Sequence, residues 1–199
     1  MTETATQPPQ SPIFRQILGP AFDQLPEPVQ ALHGSVAERR WQGQASVRRG
    51  GNPLARLVAA IMGFPHASAS VPVTVAFGPD PAGHGEIWTR DFDGRVFRSC
   101  QAAGRGKDQG MLVESFGGAA FTLALEIRQD RMYLIPRRWT LFGLPMPGFL
   151  LPRGDSFETA ADKRFCFHVE IRAPIAGLIV GYQGWLEPEP SLAPDDDQA

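Results

Sequence analysis

The sequence predicts a mainly β, single-domain protein in which an antiparallel meander of about nine strands curls into a barrel or half-barrel. From Val71 to Leu186 the chain consists of short segments in which apolar and polar residues alternate, as they do in half-buried strands. The connections between these segments are short and contain Gly, Pro or Asp. The chain has no internal repeat and no βαβ alternation, which argues against a dinucleotide-binding domain.

Helices are predicted only in the first third of the chain. Apolar residues at helical spacing from Ile13 to Leu18 predict a short helix that stops at Gly19-Pro20, and a second short helix is predicted at 26–32. The first strand is predicted at 35–49. A third helix follows it, because Asn52 can cap a helix and Pro53 can open one. Its apolar stripe comprises Leu54, Leu57, Val58 and Ile61 and is expected to face the core.

The remaining strands follow one another closely. They are predicted at 71–77, 86–92, 95–101, 111–116, 119–128, 131–140, 164–172 and 177–186. A meander of this length twists, and closing it into a barrel removes its exposed edges. A strand, a helix and then a long meander is also the order found in small intracellular lipid-binding barrels, which is an analogy of fold alone.

The Asp93-Gly94 pair is the most informative local signal in the chain. It predicts a two-residue type I′ turn, in which Gly accepts positive φ and Asp tolerates it. The turn sets the register of the strands on either side and puts six side chains on one face, namely Trp88, Arg90, Phe92, Arg95, Phe97 and Ser99. Because this face carries three large aromatic residues, we expect it to line the interior.

That interior face also carries a charge, on Arg90. Burying an unpaired guanidinium costs several kcal/mol, so Arg90 requires a carboxylate, carbonyl groups with water, or a bound anion. Glu114, in the next predicted strand, is the nearest candidate carboxylate. The predicted ligand-binding residues are Trp88, Arg90, Phe92, Phe97 and Glu114. The alternative is a structural Arg90–Glu114 ion pair in a filled core.

A second candidate surface is the segment from Leu141 to Pro152, LFGLPMPGFLLP. It is strongly apolar, but its prolines exclude a helix or a central strand, so it is predicted to be a loop. Either the loop plugs the barrel, or it forms an exposed lid or docking site for an apolar ligand, a membrane or a partner. The side chains concerned are Phe142, Leu144, Met146, Phe149 and Leu150.

Composition limits the classes of protein to consider. With 199 residues and 43% hydrophobic content, the chain can bury a sizeable core as one domain. We expect that domain at 13–186, between poorly ordered tails at 1–12 and 187–199, the second of which is acidic. No secretory signal or transmembrane segment is expected, and two cysteines without CxxC spacing form no disulfide framework, so a cytoplasmic location is predicted.

No pattern in the chain predicts a catalytic or metal site, and no cofactor is expected. The four histidines, His33, His66, His84 and His168, have no HxH or HxxxH spacing. Cys166 and His168 share a strand face but would lie about 7 Å apart, too far for direct proton transfer. GRGKDQG at 104–110 lacks the spacing of a phosphate-binding loop. Three pairs of adjacent arginines do not predict nucleic-acid binding, because neighbours on a strand point to opposite faces and the net charge is −2.

Several blocks together resemble a known family. They are LGPAFDQLPEPVQALHG at 18–34, the helical segment at 50–65, WTRDFDGRVFRS, VESFG and FCFHVEIRAPIAGLIVGYQGWLEP. In this order they resemble the bacterial family catalogued as domain of unknown function 4166, over roughly 18–187. The resemblance implies an accessory or ligand-binding role, since members of that family occur alone or attached to nucleotide-binding oxidoreductase-like domains. It implies no particular catalytic residues.

Three functions remain open from the sequence. The first is a non-enzymatic module that binds a hydrophobic, anionic or carbonyl-bearing small molecule in the barrel, with Arg90 at its polar end. The second is an accessory domain that docks on a separate oxidoreductase through the 141–152 loop. The third is an enzyme that uses an Arg-Glu pair to polarise and deprotonate a substrate. A non-enzymatic role is favoured.

Overall fold

A computed structural model describes residues 11–83 and 85–190 of the chain. It contains three α-helices and eleven strands within these ranges, together with 3-10 turns at Gly19–Gln24, Gly106–Asp108 and Gly148–Leu150. The helices are α1 (Ile13–Leu18), α2 (Glu27–His33) and α3 (Pro53–Ile61). The strands are β1 (Arg39–Arg49), β2 (Ser68–Pro79), β3 (Glu86–Phe92), β4 (Arg95–Ala103), β5 (Leu112–Phe116), β6 (Ala119–Arg128), β7 (Arg131–Leu141), β8 (Leu144–Pro145), β9 (Phe157–Ala161), β10 (Arg164–Ala173) and β11 (Gly177–Pro188).

Ten of the strands form a closed antiparallel barrel, which confirms the predicted fold class. Each strand from β1 to β7 pairs with the next along the chain, β7 pairs with β9, and β9, β10 and β11 follow in order. Pairing of β11 with β1 completes the circuit. The two-residue β8 pairs only with the end of β7, inside the segment predicted to be a loop. β9 was not predicted, because FETAA is only five residues long and three of them, Glu158 and two alanines, disfavour a strand.

The wall of the barrel is uneven in strength. β1 and β11 pair at nine positions, from Trp41↔Pro188 to Arg49↔Val180. β7 and β9 pair at only two, Met132↔Glu158 and Tyr133↔Phe157. Beyond a further backbone hydrogen bond from Leu134 to Ser156, β7 and the chain that leads into β9 separate. The barrel is therefore closed on one side by the long β1–β11 pairing, here called the strong seam, and on the other by the short β7–β9 pairing.

Strand direction divides the connections between two ends of the barrel. The helix-capped end receives α1, which contacts β4 and β5, and α2, which contacts β9 and β10. The opposite end, here called the distal rim, is formed by the connections at 50–67, 93–94, 117–118, 142–156 and 174–176. Helix α3 belongs to the distal rim and packs against β11.

Helix α3 forms where the sequence predicts it, with the side chain of Asn52 accepting a hydrogen bond from the Leu54 amide at 2.9 Å. Of the four residues predicted to face the core, Val58 is partly buried and packs against it, but the prediction was wrong for the other three. Ala55 and Ala59 are fully buried, whereas Leu54, Leu57 and Ile61 are exposed. The physical reason is that α3 packs against β11 through two of its smallest side chains, which lets the helix approach the barrel closely.

The β3–β4 hairpin has the predicted register. Asp93 and Gly94 both have positive φ, at 51° and 84°, as a type I′ turn requires. Arg90 pairs with Phe97 across the strands, and Trp88 pairs with Ser99. Trp88, Phe92 and Phe97 are each at most 5% exposed, which confirms that this face lines the interior.

Candidate functional site

The five residues predicted to bind a ligand lie together inside the barrel. Arg90 lies over the rings of Trp88 and Phe97, with its guanidinium carbon 4.9 and 5.5 Å from their centroids. Phe92 stacks on Phe97 at 5.9 Å. Nη2 of Arg90 lies 3.2 Å from Oε1 of Glu114 on β5, so the guanidinium pairs with the carboxylate that the sequence pointed to. Both charged side chains are largely buried.

Hydrogen bonds hold the Arg90–Glu114 pair in place. Arg90 donates through Nη1 to the hydroxyl of Ser99 at 2.8 Å, and that hydroxyl donates to Oε1 of Glu114 at 2.8 Å. The side-chain amide of Gln101 donates to the same oxygen at 3.0 Å. Three donors therefore converge on one carboxylate oxygen. The amide oxygen of Gln101 is buried and has no hydrogen-bond partner, so one acceptor of this cluster remains available.

Tyr182 lies next to this cluster on β11. Its ring is 5.4 Å from that of Phe92, and its side chain is buried. Burial raises the pKa of Tyr182 to about 12, with Arg90 acting to lower it and the carboxylates of Glu114 and Glu158 acting to raise it further. The phenol is therefore neutral at physiological pH.

The second polar cluster was missed by sequence reasoning. His33, at the end of α2, is fully buried, and its Nε2 lies 2.6 Å from Oε2 of Glu158 on β9. The imidazole lies against the rings of Phe14 and Trp88, at centroid distances of 3.7 and 5.5 Å, and its Nδ1 has no hydrogen-bond partner. The cluster was missed because His33 stands directly before the glycine that ends a predicted helix, where nothing in the sequence indicates burial. Its partner Glu158 belongs to β9, the strand that was not predicted.

The inward-pointing apolar residues differ in burial between the two sides of the barrel. Residues that point inward from β10 and β11 near the strong seam, such as Phe165 and Leu186, are buried. Where β7 and β9 separate, inward-pointing apolar residues remain partly exposed. They are Phe121 and Leu125 on β6, Leu134 on β7, and Phe167, Val169 and Ile171 on β10. This group is here called the open half.

The open half reaches the Arg90 cluster through direct neighbours. Phe121 is the cross-strand partner of Glu114. Phe167 lies 6.1 Å from the ring of Tyr182, which in turn contacts Phe97. A chain of packed side chains therefore connects the gap in the wall with the buried ion pair.

Two surface clefts lie elsewhere on the molecule. One, of about 310 Å³, is at the helix-capped end and is lined in part by Phe14, His33 and Glu86. Glu86 is tied to the site, because it accepts a hydrogen bond from the indole of Trp88 at 2.7 Å and pairs with Arg39. The other, of about 480 Å³, is a shallow depression lined by residues of β1, β2, β9, β10 and β11. Arg90 lines neither cleft.

The 141–152 segment lies on the surface instead of plugging the barrel. Phe142, Leu144 and Phe149 are 81%, 69% and 73% exposed. Met146 and Leu150 are partly buried, and the buried residue of the segment is Leu151. Of the two alternatives that the sequence left open, the structure therefore favours an exposed apolar site.

The histidine and cysteine residues considered in the sequence analysis do not lie together as a catalytic group in the described part of the chain. His168 bonds to Gln183 through Nδ1 at 3.0 Å, and the thiol of Cys166 contacts the carbonyl of Arg164, so the two do not form a dyad. Burial raises the pKa of the Cys166 thiol, which makes it a poorer nucleophile. His66 contacts Arg95, and His84 lies outside the described residues. Among residues 11–83 and 85–190, no group of His, Cys, Asp and Glu side chains could hold a metal ion. No helix of this part of the chain is long and apolar enough to cross a membrane.

Comparison with known proteins agrees with the fold and with the resemblance noted in the sequence. A search of curated proteins found no match. A family model described as domain of unknown function (DUF4166) matches residues 25–186. The matched range includes α2, α3 and all of the barrel except the last two residues of β11, and it contains both polar clusters. The chain therefore belongs to the DUF4166 family.

Proposed function

We propose that the barrel is a non-enzymatic binding module for a hydrophobic small molecule with one polar end group. The apolar part of the ligand occupies the open half, and the polar end reaches the Arg90–Glu114 cluster. The observation that carries the proposal is the partial exposure of inward-pointing apolar side chains where β7 and β9 separate. In a filled barrel such side chains are buried, whereas ligand-binding barrels keep apolar interior surface free.

The polar cluster limits the ligand chemistry. A hydroxyl or amide on the ligand can donate to the amide oxygen of Gln101, which has no partner. A carboxylate on the ligand must instead compete with Glu114 for Arg90, because that pair is already formed. The cluster therefore offers a partner to each end group: the amide oxygen of Gln101 to a hydroxyl, and the guanidinium of Arg90 to a carboxylate. Dodecanol and dodecanoate are therefore suitable probes, since they differ only in the end group.

The first experiment is native mass spectrometry of the protein purified from its own host, followed by organic extraction. A co-purified apolar molecule with an acidic, hydroxyl or carbonyl end supports the proposal and identifies the ligand class. If only the mass of the polypeptide is found, binding of dodecanol and dodecanoate is measured by displacement of a fluorescent fatty acid. Failure of both probes to bind would contradict the proposal.

A pair of variants localises the binding. Val169 points into the open half and His168 points outward from the same strand, next to it in sequence. Val169→Trp fills the proposed space and should reduce binding of the probe at least tenfold. His168→Trp adds the same side chain to the outer face and should leave binding unchanged. Urea unfolding of both proteins checks that the difference in binding does not arise from loss of structure.

A second candidate function is an accessory domain that docks on a nucleotide-binding oxidoreductase through the 141–152 segment. The observation that favours it is the exposure of Phe142, Leu144 and Phe149, since large apolar side chains clustered on a surface are typical of interaction sites. Replacing Phe142 and Phe149 with Ser should weaken co-purification of the oxidoreductase without lowering the urea midpoint. Unchanged co-purification would exclude this segment as the docking site.

A further inference from the structure

The exposed apolar residues are concentrated at one end of the barrel. Nine large apolar side chains of the described ranges are strongly exposed, and eight of them lie at the distal rim. These eight are Leu54, Leu57, Ile61, Val96, Phe142, Leu144, Phe149 and Ile175. The ninth, Val36, lies at the helix-capped end. Scattered exposed apolar residues are normal on a soluble protein, but their restriction to one end is not.

These side chains come from separate stretches of the chain. Helix α3 supplies three, the start of β4 one, the 142–156 connection three and the 174–176 turn one. Because the strands alternate in direction, all of these stretches meet the same end of the barrel. The apolar side chains are therefore spread around a rim, not gathered in one groove. A rim of this kind fits a flat partner better than a peptide or a single protruding loop.

Three of the apolar positions, Leu57, Ile61 and Phe142, conflict with local preference. Helix α3 packs through Ala55 and Ala59, and leaves the larger Leu57 and Ile61 in water. Phe142 has a φ of 49°, which is unfavourable for a bulky residue, in a turn where Asn or Asp would serve. A side chain that is 81% exposed contributes little burial to offset that strain. Such conflicts indicate that these side chains have a role outside the folding of the barrel.

Positive charge accompanies the apolar rim. Over residues 48–69, 91–96, 115–120, 140–157 and 172–178 there are six arginines and three aspartates. Two of the arginines, Arg48 and Arg172, pair with Glu170, which lies just outside these ranges, so the rim keeps a smaller excess of positive charge. The rim arginines are Arg48, Arg49, Arg56, Arg95, Arg153 and Arg172. Burial, and then the charges of the nearby Arg95 and Arg56, lower the pKa of the Arg49 guanidinium. Arg56 and Arg95 are exposed.

We propose that the distal rim docks on an anionic lipid surface. Apolar side chains around a flat rim can enter the boundary between head groups and acyl chains, and arginines beside them can pair with lipid phosphates. Charge complementarity selects this occupant over a neutral surface. The gap between β7 and β9 lies next to the 142–156 part of the rim, so a docked barrel would have its open half near the bilayer. The docking itself does not depend on a ligand being bound.

The test is co-sedimentation of the full chain with lipid vesicles. Vesicles of phosphatidylcholine with about a quarter phosphatidylglycerol should bind the protein, whereas pure phosphatidylcholine should bind it at least about tenfold more weakly. Binding should weaken as salt is raised, because the rim arginines interact through screened charges. Equal binding to both vesicles, or no binding to either at low salt, would overturn the proposal.

Two pairs of variants test the surface. Replacing Leu57 and Ile61 together with Ser should abolish most vesicle binding without unfolding the protein, since both side chains are exposed. Val36→Ser is the matched control, because Val36 is exposed at the opposite end. Likewise, replacing Arg56 and Arg95 with Gln should reduce binding to anionic vesicles, and Arg15→Gln in α1 should not. Loss of binding in the controls would place the contact elsewhere and contradict the proposal.

A direct optical readout separates this proposal from the others. Tryptophan fluorescence of Ile61→Trp should shift to shorter wavelength when anionic vesicles are added, whereas that of Val36→Trp should not. Val169→Trp, which fills the open half, should still bind vesicles, so failure of the ligand proposal and failure of the docking proposal are distinguishable. If the Phe142→Ser/Phe149→Ser variant loses an oxidoreductase partner while the wild-type chain never binds vesicles, the rim is a protein interface and the lipid proposal is wrong.

Discussion

The guanidinium of Arg90 lies among aromatic rings inside the barrel and has Glu114 as its counter-charge. Removing one member of a buried pair leaves the other charge without a partner, which typically costs 3–5 kcal/mol, roughly, in the free energy of unfolding. We expect Arg90→Leu to lower the urea midpoint by a corresponding amount. The double variant Arg90→Leu/Glu114→Gln should recover most of the loss, because the neutral amide can still bond to Ser99 and Gln101.

The double variant also separates a structural pair from a binding site. If the pair is only structural, the double variant binds dodecanol and dodecanoate as the wild-type protein does. If Arg90 meets the end group of the ligand, the folded double variant loses affinity for dodecanoate and retains affinity for dodecanol. If the double variant regains stability, loses binding of dodecanoate and keeps binding of dodecanol, Arg90 contacts the end group of the ligand.

Tyr182 gives the barrel a dependence on alkaline pH. Its folded-state pKa of about 12 lies above the ordinary value of 10.0 because the buried phenol resists ionisation. The neutral form is therefore favoured in the folded state, so this contribution is fully present below about pH 10 and is lost as the pH rises from 10 towards 12. We expect Tyr182→Phe to remove roughly 1 kcal/mol of the stability that the wild-type protein loses between pH 9 and pH 11, which is about half of the loss that is complete above pH 12. Urea unfolding at pH 9 and at pH 11 measures it, and equal alkaline loss in both proteins would contradict the assignment.

At the scale of single elements, α3 shows how a helix can form as predicted and still pack through the opposite face. The apolar stripe of Leu54, Leu57 and Ile61 predicts burial, but the chain between β1 and β2 brings α3 close to β11, where only Ala55 and Ala59 fit. Packing distance, which depends on the tertiary fold, therefore overrides the amphipathic pattern.

Because α3 packs through two alanines, the stability of the protein should be sensitive to changes at these small residues and insensitive to changes at the large exposed ones. Ala55→Leu should destabilise the protein by about 1–3 kcal/mol, because it overpacks a contact that has no space for a larger side chain. Leu57→Ala, on the exposed face of the same helix, should change stability by no more than about 0.5 kcal/mol. Thermal unfolding of the two variants measures the contrast. A larger loss for Leu57→Ala would mean that the large face is the buried one after all.

At the scale of the whole molecule, closure depends on a tight approach of β1 and β11. Gly184 pairs with Ala45, and a Cβ added to Gly184 would lie 2.0 Å from the carbonyl oxygen of Gln44 and 2.8 Å from the Cα of Ala45. Backbone atoms cannot move aside as a flexible side chain can. The seam between the first and last strands therefore requires glycine at this position.

We accordingly expect Gly184→Ala to destabilise the barrel by about 3 kcal/mol or more, as severe overpacking does. Gly51→Ala is the matched control, because nothing lies within 4 Å of a Cβ added there and its φ is not in the left-handed region. Circular dichroism and urea unfolding compare the two. Similar stability of both variants would show that the seam can relax and that closure is less demanding than the geometry indicates.

The sequence by itself determined the fold class, most strands and one of the two polar clusters. Local rules sufficed there: Asp93-Gly94 sets a hairpin register by turn geometry, and alternation assigns Trp88, Arg90 and Phe97 to one face. Only the tertiary structure decided which contacts form between distant segments. His33 meets Glu158 across 125 positions of the chain, on a strand with weak β propensity. The exposed face of α3, the gap between β7 and β9 and the apolar, arginine-rich rim likewise depend on how closely elements approach in space, which no local pattern records.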